Sequence, residues 1–147
     1  MTSKKAMGID FGSVRIGISI SDETNTIAFG KDALANDAGC IPKITGIVKQ
    51  NSIGKIILGY PLNLKGNKSP QTLKVEEFET KLRNYLDNSL GVSSVQIIRW
   101  DERFTSKMAQ ASLLQSGMKK KKRQQKSNLD IISAALLLQS YLDSTKH

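Results

Sequence analysis

At 147 residues and 39% hydrophobic content, the chain suits one soluble domain with one core, burying roughly 70% of its unfolded surface. A net charge of +9 points to a polyanionic partner, nucleic acid first, and the lone Cys40 excludes an internal disulfide or a thiolate metal cage. The only histidine is the last residue, His147, so paired-histidine acid–base chemistry has no material here and catalysis would fall to carboxylates with a metal.

The N-terminus "MTSKKAMGID" has two lysines but no long apolar run, so no secretory signal is visible. Strands are expected at 5–10 and 15–21, where Met7, Ile9, Phe11 and then Ile16, Ile18, Ile20 alternate with smaller residues, and a third at 26–30. Gly12 and Ser13 supply the turn between the first two. A helix follows over 38–50, with Ile41, Ile44, Ile47 and Val48 on one face. "KIILG" (55–59) reads as a buried strand and "GYPLNLKGNK" (59–68) as a loop. Ser69 and Pro70 then start a helix as N-cap and first helical residue, with Val75, Phe78, Leu82, Tyr85 and Leu86 inward. Beyond Gly91, "SVQIIRW" (94–100) is a strand and 105–117 a helix ending at Gly117. The run "KKKKRQQK" (119–126) carries six positive charges in eight residues and no acid. A last helix covers 128–143, and its apolar stretch 132–142 is too short to span a bilayer. A reducing cytoplasm, away from membranes, fits this chain. Hairpin strands first and strand–helix units second imply an α/β fold with a mixed sheet and helices on its faces.

Three acids look placed rather than scattered. Asp10 ends the first strand beside an apolar run, Glu102 (with Asp101 beside it) ends "SVQIIRW", and Asp130 heads the stripe Asp130, Ala134, Leu137 and Tyr141 in the last helix. Each has a bland explanation alone. Asp10 could satisfy turn N–H groups, Glu102 could pair with Arg103 or Arg99, and Asp130 could close a capping box with Ser127. Convergence gives the other explanation. If the first strand and "SVQIIRW" are neighbours, their ends hold two carboxylates close together and the helix N-terminus supplies the third. Crowded carboxylates repel unless a cation lies between them, and oxygen ligands with open positions suit Mg²⁺ or Mn²⁺. Two such ions would serve phosphodiester hydrolysis. Gly17 would let some group approach the second strand closely, or mark a bulge.

The blocks "GIDFGSVRIGISISD", "GYPLNLKGNKSPQT", "DERFTSKMAQ" and "KSNLDIISAALLLQSYLD" resemble the YqgF (RuvX) family, in that family's order and over nearly the whole chain. The resemblance implies a ribonuclease-H-like, five-stranded mixed sheet. It also implies a nuclease acting either in maturation of the small-subunit ribosomal RNA precursor or on Holliday junctions. It assigns Asp10, Glu102 and Asp130 as catalytic and metal-binding, with Mg²⁺ or Mn²⁺, two ions in the full site. Arg15 and Arg103 match the family pattern and are expected to contact substrate. The second block departs from the family at Lys65 and Ser69, and the basic run is longer than the family requires. Charge adds Lys65, Lys68, Lys119, Lys120, Lys121, Lys122, Arg123 and Lys126 as substrate-binding candidates, the run forming a clamp ahead of Asp130.

Two other classes stay open at this point. The opening "DFGSVRIG" also resembles the first phosphate loop of actin-like ATPases, although no second phosphate block follows. A non-catalytic RNA-binding factor would need only the basic run and the 59–68 loop. Aromatic content of 5% makes extensive base stacking a poor fit, leaving phosphate contacts and shape. The acid trio separates these readings, since binding alone does not need it. One sequence leaves monomer or homodimer open.

Overall fold

The computed structural model describes residues 4–89, 91–92, 94–105 and 126–145. The expected helix over 105–117 and the basic residues Lys119, Lys120, Lys121, Lys122 and Arg123 lie outside these, apart from Thr105. β1 (Lys5–Phe11), β2 (Arg15–Ser21) and β3 (Ala28–Ala35) form an antiparallel meander. Helix α1 (Cys40–Gln50) leads to β4 (Ile53–Tyr60), which pairs parallel with β1. Helix α2 (Pro70–Asp87) leads to β5 (Gln96–Asp101), parallel to β4, and then to a 3₁₀ turn over Glu102–Phe104. Helix α3 is Lys126–Ser144. The sheet order is β3-β2-β1-β4-β5, a mixed five-stranded sheet as expected.

Strand alternation sorts the side chains onto two faces. Met7, Ile9, Ile16, Ile18, Ile56 and Leu58 point to one face, under α1 (Ile44, Val48) and α2 (Val75, Phe78, Leu82, Leu86). Ala6 and Ile57 point to the other, under Leu138, Tyr141 and Leu142 of α3. Small residues dominate that second face, so α3 lies close to the sheet. A Cβ on Gly8 would lie 2.9 Å from the Ala134 carbonyl and from Leu138 Cβ. One on Gly17 would run into the Asp130 carbonyl. The close approach foreseen at Gly17 is therefore the backbone of α3. Ser19 Oγ donates to the Ala134 carbonyl at 2.7 Å and fixes the contact.

Local signals set the other boundaries. Ser69 Oγ accepts from the Thr72 N–H and Thr72 Oγ1 accepts from the Ser69 N–H, a reciprocal cap with Pro70 at the first helical position. Tyr85, expected inward on α2, is exposed, because Leu82 and Leu86 already fill that turn's inner face. β3 is longer than the expected 26–30 strand. As an exposed edge it has no apolar alternation to read, and the register shift between Ile18 and Ser19 bulges Lys31 out of the ladder. Cys40 is a free, buried thiol. Among the described residues no helix is long and apolar enough to cross a membrane.

Candidate active site

The ends of β1, β4 and β5 and the start of α3 bring the three sequence-selected acids to one end of the sheet. β1 and β5 are not neighbours as expected, because β4 lies between them. Contact is made across β4 at a residue without a side chain. Gly59, paired with Trp100, sits under the Glu102 carboxylate, and a Cβ there would collide with Glu102 Oε1. Glu102 thus crosses the intervening strand and hydrogen-bonds Asp10. Gly59 was not singled out in the sequence, although a glycine ending the apolar run "KIILG" was the available signal.

Asp101 has the supporting role. It closes β5, accepts from the Arg103 N–H at 2.9 Å, and is gripped by the Arg103 guanidinium through Nε (2.9 Å) and Nη2 (2.7 Å). This fork holds the 3₁₀ turn that aims Glu102 inward, and Thr105 closes it through two 3.0 Å bonds to the Glu102 carbonyl. Glu102 is therefore the first residue past the strand rather than its last.

Asp130 arrives from the other side. Asp10 pairs in register with Gly17, and Gly17 carries the Asp130 backbone, so the third acid is one strand away from the first. The capping-box explanation of Asp130 fails. α3 begins at Lys126, its first turn holds no acid, and the Asp130 carboxylate accepts from Arg15 Nε at 2.8 Å. Asp10 and Glu102 pair with each other while Asp130 faces Arg15, and among the described residues no set of three Asp, Glu, His or Cys side chains is arranged as a ready metal cage.

Burial and crowding leave this pair sharing a proton. Burial pushes Asp10 up to about 6, an effect opposed by the hydrogen bond from Glu102 and reinforced by the Asp130 charge. Burial, and then the Asp10 charge, push Glu102 up to about 8. Protonated Glu102 is the donor and Asp10 the acceptor. Both groups bind protons more tightly in the folded chain than in the unfolded one. Metal-free stability from this pair is therefore fully present below about pH 4 and declines up to about pH 8, by on the order of a few kcal/mol. Urea unfolding in a chelator between pH 5 and 8.5 should give a falling midpoint for the native chain and a flatter one for Asp10→Asn. Equal slopes would remove the shared proton.

The substrate-binding candidates divide. Arg15 is held by Asp130, Arg103 by Asp101, and Lys68 by Glu76 at 2.8 Å. Lys65 is exposed on the 61–68 loop, and Lys126 opens α3.

This sheet order, with carboxylates on β1, just past β5 and on α3, defines the ribonuclease-H-like class. Solved structures of the same fold include Thermus thermophilus RuvC in complex with a Holliday junction substrate, with TM-score 0.60 and 11% identity over 97% of this chain and 96% of that one. The fowlpox virus resolvase with substrate Holliday junction DNA also has TM-score 0.60, with 15% identity over 97% and 99%. The chain belongs to the RuvX family, described as Holliday junction resolvase, whose match covers residues 4–144. Curated relatives named "Putative pre-16S rRNA nuclease" include one from Sulfurihydrogenibium sp., 37% identical over 95% of this chain and 90% of that protein. Another, from Amoebophilus asiaticus, is 38% identical over 97% and 96%. The actin-like ATPase reading is set aside by this membership.

Proposed function

We propose that this chain is a divalent-metal-dependent nuclease that hydrolyses phosphodiester bonds in the small-subunit ribosomal RNA precursor. One observation carries the reading: Glu102 is laid across Gly59 onto the Asp10 carboxylate, joining two acids that the sheet order alone would keep apart. Binding of RNA without cleavage has no use for two half-buried carboxylates held together by a proton. The donor set fits Mg²⁺ or Mn²⁺, since its oxygens are hard ligands and a cation between Asp10 and Glu102 would take the place of the shared proton. Asp10, Glu102 and Asp130 would hold the metal, two ions in the full site. When bound, it would activate water and stabilise the leaving oxygen.

The chain's own residues supply the rest. Arg15 keeps the Asp130 charge neutralised until a substrate phosphate offers it a second acceptor, which frees the Asp130 carboxylate. Arg103 holds Glu102 in place through Asp101 and lies beside the 61–68 loop, with its Nη1 3.3 Å from where a Gly66 Cβ would stand. The nuclease relatives support ribosomal RNA as substrate, and the fold neighbours with bound junctions favour four-way DNA as the second reading. Cleavage assays with Mn²⁺ or Mg²⁺ on both substrates, side by side, separate the two. No cleavage of either by folded protein would refute the nuclease.

The run Lys119, Lys120, Lys121, Lys122 and Arg123, which precedes α3 in sequence, serves in this reading with Lys126 of α3 as a phosphate clamp. Replacing residues 119–123 with alanine should lower the slope of log affinity against log salt by about 2–4 units, fewer than one per charge because some phosphates are missed. Superimposable salt series for wild type and variant would move the clamp to Lys65 and Lys68.

A further inference from the structure

The loop between β4 and α2 is a built hairpin. Leu62 and Lys68 pair antiparallel, the Asn63 N–H donates to the Asn67 carbonyl at 2.9 Å, and the Gly66 N–H donates to the Asn63 carbonyl at 2.9 Å. Asn63 Oδ1 accepts from the N–H groups of Lys65 (3.0 Å) and Asn67 (2.9 Å), and Gly66 takes φ +83°, a conformation that suits glycine. Thr72 Oγ1 donates to the Pro61 carbonyl and ties the hairpin base to α2. At the tip of this braced turn stands Leu64, 92% exposed, the most exposed large hydrophobic side chain among the described residues.

A slack loop would fold such a side chain away; this one holds it in water. Its flanks, Asn63 and Lys65, are polar and exposed, unlike the apolar surround that a protein partner would cover. Val14 in the β1–β2 turn and Leu73 in the first turn of α2, 67% and 55% exposed, lie at the same end of the sheet as the acids. A braced aliphatic tip beside Lys65, near the proposed phosphodiester-cutting centre, matches an apolar wedge between two nucleobases.

We propose that Leu64 is such a wedge: it enters a weakly stacked base step beside the scissile phosphate, with Lys65 on the flanking backbone. The inference rests on the nuclease reading and adds a preference, namely that branched, mismatched or duplex–single-strand boundaries are bound over continuous duplex because their bases part more readily.

The test uses the full chain in a chelator, so no cleavage is involved. The probe is an oligonucleotide with 2-aminopurine at a duplex–single-strand boundary, against a continuous duplex of equal length. Wild type and Asp10→Asn should both raise the 2-aminopurine fluorescence on binding. Leu64→Ala should lose most of that rise and bind the boundary roughly tenfold more weakly, the order expected for one leucine side chain, with duplex affinity unchanged. Leu64→Met should restore both. A Leu64→Ala protein with wild-type fluorescence and wild-type boundary preference overturns the wedge and leaves the nuclease standing. So does one weakened equally on both probes. Failure of every variant to bind either probe overturns both readings.

Discussion

Asp10→Asn should cut cleavage to below about a thousandth of wild type, the scale of losing one member of a catalytic unit, while the metal-free protein melts at a higher temperature. The amide has the shape of the carboxylate and still pairs with Glu102, so the fold is kept. What disappears is the negative charge that lifts Glu102 and that itself resists burial. Relief of about 1 kcal/mol would raise the melting temperature of a chain this size by about 2–4 °C at pH 8 in a chelator. Nucleic-acid affinity should hold or rise, since one phosphate-repelling charge is gone. Full activity in the purified variant would end the metal-nuclease reading.

Gly59→Ala should leave the fold intact and lower the cleavage rate by about 100-fold, the penalty typical of misplacing a reacting group by about 1 Å. The new methyl would meet the end of Glu102, with Oε1 nearest and Cγ and Cδ each at 3.2 Å. That side chain can swing aside, so the strand need not move. The Glu102–Asp10 hydrogen bond would break, and the metal-free loss of stability with rising pH should shrink with it. Gly17→Ala makes the contrast, because its methyl would meet the Asp130 backbone, which moves only with α3. Wild-type turnover in a well-folded Gly59→Ala protein would show that Glu102 need not lie over β4.

The acids were legible because a carboxylate beside an apolar run is costly without a reason, and three such places occur in an order that resembles a family. How they meet was not legible. Strand order is a long-range property, and the insertion of β4 between β1 and β5 left no local trace except the glycine that Glu102 passes over. The pairing of Arg15 with Asp130 was hidden for a related reason, since the two residues lie 115 positions apart in sequence. β3 was cut short because an edge strand with a bulge shows none of the alternation that buried strands carry. The cap of α2 was read correctly because every residue that makes it lies within four positions.

Translation order adds one more consequence of the long reach between Arg15 and Asp130. Domains form as the chain emerges, N-terminal parts first. β1 and β2 are made early, but the face that carries Gly8, Gly17 and Ser19 stays bare until α3 has been synthesised. Until then Asp10 has no Asp130 beside it, and a nascent chain offers an incomplete set of acids. With its third carboxylate drawn from α3, the acid cluster closes only once that last helix has been made.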